Sequence, residues 1–283
     1  MTTTLSTTNH RSDIVGLTYV YPVLSRRAGG LSIGINFNTN NACNWRCIYC
    51  QVPNLTIGSA PPIDFPLLEQ ELRGFLDEVL NGDFYQRFQV DMDKRVIKDI
   101  AIAGNGEPTS LQEFAAAVAL IGRIATELGI FPASKYILIT NGSLIHQSRV
   151  QEGLRNLSGY GGEVWFKFDS ATDAGRKLIN RSSQSVQAAL TNLSLSAQLC
   201  TTKLQTCVFS YQGQGWTAGE RQAYLDALET IRAGTPVRQV MLYTLARTSA
   251  QPEADQLEKA SAETLNELAD AVRSLGFDVS VSI

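Results

Sequence analysis

The sequence has few histidines and no long hydrophobic run. Its 283 residues include 2 histidines, so a metal site built on imidazole has little to draw on. No apolar stretch reaches the roughly 18 to 20 residues that a membrane-spanning helix needs. The first residues lack the basic start and apolar core of a secretory signal. We therefore expect a cytoplasmic protein with no membrane partner.

An excess of positive charge is also missing. The chain has 24 Lys and Arg residues against 27 Asp and Glu residues, a formal net charge of -3. The chain therefore lacks the net positive charge that would indicate nucleic-acid binding, although a local basic patch would be compatible with this composition. The length fits one large domain or two small ones. We expect an N-terminal extension over residues 1–29 and a single core domain over residues 30–283.

What the chain does contain is a regular alternation of strand-like and helix-like segments. The predicted strands cover residues 30–37, 96–103, 136–140, 163–169, 203–210 and 237–245. The predicted helices cover residues 67–80, 111–128, 148–157, 185–199, 218–232 and 262–275. Six β-then-α units predict a parallel sheet with outer helices, either doubly wound or closed into a full or partial barrel. Both folds place function at the carboxyl ends of the strands.

Polar residues and glycines follow several of these predicted strands. The second strand runs into Ala-Gly-Asn-Gly-Glu-Pro-Thr at 103–109 and the third into Thr-Asn-Gly-Ser at 140–143. Lys167, Asp169 and Ser170 end the fourth, and Tyr243 and Arg247 end the sixth. Taken singly, these could be turn residues, a partly buried ion pair or a solvated charge. Their convergence on one rim of the sheet favours a functional site.

Three of the five cysteines, Cys43, Cys47 and Cys50, follow the first predicted strand with the spacing C-x3-C-x2-C. A structural zinc site takes four ligands, and Cys200 and Cys207 lie far away in sequence, where we interpret them as core residues. A zinc site would need a distant fourth ligand, or three ligands and a water. A [4Fe-4S] cluster normally takes four thiolates, so three would leave one iron open to another ligand. An open iron would make the site catalytic.

With Tyr49 as the aromatic residue, this spacing resembles the C-x3-C-x-aromatic-C signature of the radical S-adenosylmethionine superfamily. The Gly-Asn-Gly-Glu-Pro-Thr segment is similar to the GGEPT motif of that superfamily, with Asn105 in place of a glycine. The resemblance covers roughly residues 30–283 and implies an α/β fold, an open (β/α)6 partial TIM barrel with a parallel sheet and outer helices. CNWRCIYCQVPN, GNGEPT, TNGS and VMLYTLAR resemble the short Fe-S oxidoreductases related to wyosine-type tRNA-modifying enzymes.

The resemblance also implies roles for individual residues. Cys43, Cys47 and Cys50 would hold a [4Fe-4S] cluster, with S-adenosylmethionine on the open iron. The segment from Gly104 to Glu107 would bind the methionine amino group through backbone carbonyls or the Glu107 carboxylate. The expected cofactor contacts are Tyr49, Gly104, Asn105, Gly106, Glu107, Asn141, Lys167, Asp169, Ser170 and Tyr243.

The implied activity is reductive cleavage of S-adenosylmethionine to a carbon radical, most directly 5'-deoxyadenosyl. The partners are an electron donor such as flavodoxin or ferredoxin and a small-molecule substrate, and Arg26, Arg27 and Arg247 are candidates to bind an anionic group. Four alternatives remain: cleavage giving a 3-amino-3-carboxypropyl radical, tRNA-base modification, activation of a partner protein by a glycyl radical, and a non-catalytic Fe-S or zinc module.

Overall fold

The structure, a computed structural model, describes residues 15–25 and 29–283. Its centre is one eight-stranded sheet in which the spatial order of the strands follows their order in the chain. The strands are β1 (Val20–Ser25), β2 (Gly30–Ile35), β3 (Ile97–Ile102), β4 (Lys135–Thr140), β5 (Glu163–Lys167), β6 (Thr201–Cys207), β7 (Gln239–Tyr243) and β8 (Asp278–Ser282).

The topology of this sheet distinguishes between the folds that the sequence allows. Strand β1 is antiparallel to β2, and every later neighbouring pair is parallel. A doubly wound sheet reverses its strand order at a switch point, whereas here the order runs one way from β2 to β8. Among the described residues, β1 and β8 have one neighbouring strand each, so the barrel does not close. The predicted open (β/α)6 partial barrel is therefore confirmed.

Helices connect the parallel strands and cover the sheet. They are α1 (Phe65–Asn81), α2 (Phe114–Glu127), α3 (Ser148–Gly159), α4 (Asp173–Asn180), α5 (Val186–Leu199), α6 (Ala218–Gly234) and α7 (Ala262–Ser274), with a single turn at Phe84–Arg87. Helix α1 begins at Asp64, whose side chain accepts a hydrogen bond from the amide of Leu67. Its predicted apolar face is buried: Leu68, Leu72, Phe75, Leu76 and Val79. Each such side chain stabilises the fold by about 1.5–3 kcal/mol. Within the described residues, no helix combines the length and the apolarity needed to cross a membrane.

Of the eight strands and seven helices labelled above, three were not predicted, namely β1, α4 and β8. Strand β1 lies inside the segment assigned to the N-terminal extension and pairs along its length with β2. The boundary at residue 30 stays a prediction. Helix α4 has a weak apolar signal, because its buried face includes Arg176 and Asn180. Strand β8 alternates Val279 and Val281 toward the core with polar residues between them, a period-two signal that could have identified it.

Candidate active site

A cavity of about 320 Å³ opens at the carboxyl ends of the strands. Ten of the sequence-predicted site residues line it: Cys43, Cys47, Tyr49, Cys50, Gly104, Gly106, Glu107, Asn141, Lys167 and Tyr243. Arg247, a predicted substrate contact, lines it as well. The structure thus brings together predicted residues from the ends of four strands, β3, β4, β5 and β7, and from the loop after β2. We call this the strand-end cavity.

The cysteine loop is attached to the end of helix α4. The amides of Arg46 and Ile48 donate to the carbonyl oxygens of Asn180 and Ile179 at 3.3 and 2.8 Å. The last carbonyl groups of a helix have no partner inside the helix, so the loop supplies the donors that α4 needs. Ile48 is fully buried and packs with Ile179. Helix α4 therefore fixes the loop between its first and third cysteines.

A second segment, residues 249–253, holds the loop from the side of β7. The Cys50 carbonyl oxygen accepts hydrogen bonds from the Ala250 amide at 2.9 Å and the Ser249 hydroxyl at 3.0 Å. Arg46 makes a bidentate ion pair with Glu253 at 2.6 and 2.8 Å, and Arg181 joins it at 2.9 Å. The hydrogen bond from Arg46 lowers the pKa of Glu253 to about 2.

The three thiols are partly buried, and burial decides their protonation. It raises the pKa of Cys43 and Cys47 to about 12 and also raises the pKa of Cys50. The Trp45 amide donates to Cys43 Sγ at 3.5 Å, and Asn180 Nδ2 donates to Cys47 Sγ at 3.3 Å. These donors fit thiolates, which buried thiols become when a cation replaces the proton.

The kind of ligand bears on the type of metal site. In an iron-sulfur cluster each thiolate binds a different iron. Three thiols in one loop, two of them with N–H donors beside the sulfur, fit a cluster with three protein ligands.

Two glycines of the turn after β3 lie against the cysteine loop. Gly104 has a φ of +142°, and a Cβ atom there would lie 2.5 Å from Oδ1 of Asn36. A Cβ atom at Gly106 would lie 2.0 Å from the carbonyl oxygen of Ala42, the residue before Cys43. Any side chain at either position would push the two segments apart.

Between these glycines, the side chain of Asn105 bonds to the cysteine loop, whereas its two neighbours line the cavity. Its amide donates to Asn36 Oδ1 at 3.0 Å, and its Nδ2 donates to Asn41 Oδ1 at 2.8 Å. It is not among the residues that line the cavity. Asn105 thus bonds the turn to the cysteine loop, and the contact with S-adenosylmethionine expected for it stays a prediction.

Glu107 is almost fully buried, at 2% exposure, and its carboxylate joins β3 to β4. Oε1 accepts from the amide and hydroxyl of Thr109 at 3.1 and 2.6 Å and from the Thr140 hydroxyl at 2.6 Å. Oε2 accepts from the Asn141 amide at 2.7 Å. Burial raises the pKa of Glu107, and these hydrogen bonds oppose the rise. All four donors are neutral.

Asn141 belongs to a ring of hydrogen bonds with the cysteine loop. Its Nδ2 donates to Asn44 Oδ1 at 2.8 Å, Asn44 Nδ2 donates to Ser143 Oγ at 2.7 Å, and that hydroxyl donates to Asn141 Oδ1 at 2.7 Å. The turn Thr-Asn-Gly-Ser therefore positions the residue that follows Cys43.

On the opposite side of the cavity, Lys167 lies between two tyrosines. Its Nζ donates to the Tyr243 hydroxyl at 3.0 Å and lies 5.0 Å from the centre of the Tyr49 ring. Burial by itself lowers the pKa of Lys167, but the charge of Asp169 contributes to a net rise well above the ordinary value. Lys167 thus remains a cation at the cavity wall.

Asp169 and Ser170 lie behind the cavity wall and are not among its lining residues. Asp169 is 1% exposed and accepts from the Tyr49 hydroxyl at 2.5 Å, Asn180 Nδ2 at 2.8 Å and the Cys207 amide at 3.0 Å. Ser170 Oγ accepts from the Thr172 amide at 3.1 Å, where α4 begins. Direct contact of either residue with a cofactor stays a prediction.

The proposed substrate arginines differ in position. Arg247 is exposed and lies at the mouth of the cavity, whereas Arg26 and Arg27 lie outside the described residues.

Several residues at the site were missed from the sequence. Trp45 and Cys207 line the cavity, and Arg176 lies 5.3 Å from the centre of the Trp45 ring. Cys207 is fully buried, as expected for a core residue, yet it also lies at the floor of the cavity. The Arg46–Glu253 pair joins residues 207 positions apart, and no local pattern could have predicted it.

Comparison of the sequence with known proteins gives only partial matches. No protein-family model matches the chain. UPF0026 proteins from two strains of Helicobacter pylori are 27% identical over 135 residues, which is 47% of this chain and 38% of each relative. GTPase Obg from Brachyspira hyodysenteriae is 29% identical over 133 residues, 47% of this chain and 17% of the relative. The matched region spans well under half the length of these curated relatives.

Comparison of the structures covers nearly the whole chain. A radical SAM methyltransferase from Sphaerobacter thermophilus has a TM-score of 0.60 at 13% identity, over 93% of this chain and 68% of that one. TYW1 with a lysine-pyruvate adduct bound has a TM-score of 0.55 at 12% identity, over 86% and 73%. Methylornithine synthase (PylB) has a TM-score of 0.52 at 12% identity, over 88% and 63%. The sequence-based resemblance is confirmed at the level of the fold: this chain has the fold of radical S-adenosylmethionine enzymes.

Proposed function

We propose that this chain is a radical S-adenosylmethionine enzyme, in which Cys43, Cys47 and Cys50 hold a [4Fe-4S] cluster and S-adenosylmethionine binds beside it. A cluster held by these thiols would supply one electron for reductive cleavage of S-adenosylmethionine to methionine and a 5'-deoxyadenosyl radical, which would be the oxidant for the substrate. One observation carries the proposal: the three thiols, the glycine turn after β3 and the partly buried Lys167 line the same strand-end cavity.

The turn after β3 supplies the acceptors for the methionine ammonium group in this proposal. Glu107 already accepts four hydrogen bonds, which matches the capacity of a carboxylate. The backbone carbonyl groups of Gly104 and Gly106 are therefore the better acceptors, and the missing side chains allow the ligand to approach them.

The opposite wall supplies the remaining contacts. Lys167 is a partly buried cation that can pair with the methionine carboxylate. Tyr49 and Tyr243 border the cavity beside it and offer flat apolar surfaces for the adenine. Asn141 faces the cavity from the end of β4, and we propose that it contacts the ribose.

The substrate of this proposed reaction is a small molecule that enters past Arg247, whose exposed guanidinium can bind an anionic group. The electron comes from a reducing protein such as flavodoxin or ferredoxin. Modification of tRNA is a second candidate, favoured because CNWRCIYCQVPN and GNGEPT resemble segments of the enzymes related to wyosine-type tRNA modification.

Anaerobic reconstitution with iron and sulfide, followed by reduction with dithionite in the presence of S-adenosylmethionine, tests the proposal. We expect about four iron atoms per chain and the release of 5'-deoxyadenosine with methionine. Methylthioadenosine would instead indicate the 3-amino-3-carboxypropyl radical. Absence of both products from cluster-loaded protein would contradict the proposal and favour a non-catalytic module.

Substitutions of cysteine sharpen this test. Cys47→Ala should lose most of the iron and all product, because each thiolate binds a separate iron. Cys200→Ala is the matched control: this thiol is buried and bonds to the Gly162 carbonyl group, so iron content and product should be retained.

Cys207→Ala tests whether the cluster has an open iron. Cys207 lines the same cavity and is the candidate for a fourth thiolate. We expect the variant to keep the iron content of the parent. Loss of the cluster in this variant would identify a fourth protein ligand and overturn binding of S-adenosylmethionine at an open iron.

A further inference from the structure

The buried face of α4 presents two polar side chains toward the cysteine loop. Arg176 and Asn180 are each 1% exposed and lie one helical turn apart, so they share a face. Asn180 donates to Cys47 Sγ at 3.3 Å. The guanidinium carbon of Arg176 lies 5.3 Å from the centre of the ring of Trp45, which is between Cys43 and Cys47 in the loop.

One donor of this arginine is left over. Arg176 Nε and Nη2 donate to the backbone and side-chain oxygens of Gln184 at 3.1 and 2.9 Å. Nη1 is buried and has no hydrogen-bond acceptor among the described residues. A buried donor without a partner costs about 1–3 kcal/mol, and more when it is charged. Such a group in a native protein needs an explanation, and a redox role or a bound ion is one of the recognised ones.

The positive charge of Arg176 also has few negative charges near it. Burial lowers the pKa of its guanidinium, and Asp169, Asp173 and the thiolate form of Cys47 oppose that shift. Arginine nevertheless stays charged in proteins. Asp169 already has three other donors and Asp173 is exposed. The thiolate form of Cys47, which Asn180 contacts from the same helix face, would add negative charge near Arg176.

We propose that Arg176 is a positioning residue that fixes a buried positive charge against Trp45 of the cysteine loop, and that this charge would raise the reduction potential of a cluster held by that loop. This inference rests on the proposed function. A reduced cluster carries one more negative charge than the oxidised one, so a fixed nearby cation stabilises the reduced form. Hydrogen bonds and charge near the sulfurs are among the factors that set these potentials.

The test compares charge-neutral substitutions on two faces of the same helix. Arg176→Met removes the charge and keeps a similar length, and Arg176→Gln is a second neutral variant if the first does not fold. Arg176→Lys keeps the charge. Lys177→Met is the matched control, since Lys177 is the next residue and is exposed, where water and salt screen its charge.

Iron content and a redox titration followed by electron paramagnetic resonance give the result without reference to turnover. For Arg176→Met at the iron content of the parent, we expect the ratio of reduced to oxidised cluster at a fixed potential to fall at least about tenfold, which is about 59 mV for one electron. The ratio should fall less in Arg176→Lys, and in Lys177→Met it should stay close to that of the parent.

Two outcomes would overturn the inference: a cluster-loaded neutral variant with the potential of the parent, or an equal shift in Lys177→Met. These differ from failure of the proposed function, in which the parent protein itself binds no [4Fe-4S] cluster.

Discussion

The two walls of the strand-end cavity are built differently. At the ends of β2, β3 and β4, neutral amides and hydroxyls bond to one another around a single buried carboxylate, Glu107. At the ends of β5 to β7, ions dominate: Lys167 and Asp169 lie near the cavity, and Glu253 pairs with Arg46 and Arg181. We call these the amide wall and the charged wall.

The difference separates two requirements of the site. Short amide contacts fix the backbone of the cysteine loop and of the glycine turn at close distance without adding net positive charge. The charged wall keeps a lysine protonated inside the protein and surrounds the loop with arginines. We infer that the amide wall determines geometry and the charged wall determines electrostatics.

The largest effect is expected from filling the closest contact in the amide wall. Gly106→Ala places a methyl group against the Ala42 carbonyl oxygen, 2.0 Å away before any movement. We expect a loss of about 3 kcal/mol in the free energy of unfolding, the upper end for overpacking, together with reduced iron loading because Cys43 follows Ala42. Urea unfolding and iron analysis measure both.

Gly58→Ala is the control for this substitution, because its new methyl group would lie at an ordinary 3.4 Å from the Ala42 side chain. If Gly106→Ala had the stability and iron content of the parent, the glycine would not be needed for close approach and the amide wall would be looser than described.

A smaller effect is expected from removing the charge in the amide wall. Glu107→Gln replaces one acceptor oxygen with an NH2 group facing neutral donors, at a cost of about 2 kcal/mol for unsatisfied groups. Because no cation pairs with Glu107 in these bonds, the destabilisation should hardly change with salt. Urea unfolding at low and high ionic strength measures it, and a strong salt dependence would place the charge of Glu107 in the electrostatics of the site.

The smallest effect concerns the charged wall and depends on pH. The pKa of Glu253 is lowered from 4.5 to about 2 by its hydrogen bond from Arg46. A lowered carboxyl pKa stabilises the folded state above pH 4.5, and this contribution disappears as the pH falls toward 2. The pair is partly exposed to solvent, so we expect only about 0.5–1 kcal/mol.

Urea unfolding of the parent and of Glu253→Gln between pH 7 and pH 2.5 checks this prediction. The difference between the two proteins should shrink as the pH falls. A difference that is constant over this range would mean that packing of the side chain, and not its charge, attaches residues 249–253 to the loop.

The amide wall could be largely predicted from the sequence, because its parts are short motifs. The glycine turn and the Thr-Asn-Gly-Ser turn end strands that the hydrophobic pattern predicts, so their position on the rim follows from the fold class. Their internal bonds could not be predicted: Asn105 resembles a cofactor contact in the motif but donates to Asn41 of the cysteine loop.

The charged wall could be predicted from the sequence only in small part. Lys167 and Asp169 were predicted on one strand face, but β5 ends at Lys167 and Asp169 lies behind the wall under Tyr49. Helix α4 was missed because a buried arginine and asparagine weaken its hydrophobic pattern. Glu253 gave no signal, because its partners lie 207 and 72 positions away.

By itself the sequence determined the alternation of strands and helices, the three clustered thiols and the rim on which they lie, because periodicity and spacing are local properties of the chain. Only the tertiary structure decided that α4 holds the cysteine loop, that Glu107 bonds to the protein, and that Arg176 lies buried beside Trp45. These features depend on contacts between distant segments, and on charges whose cost is decided by burial, a quantity that no stretch of sequence contains.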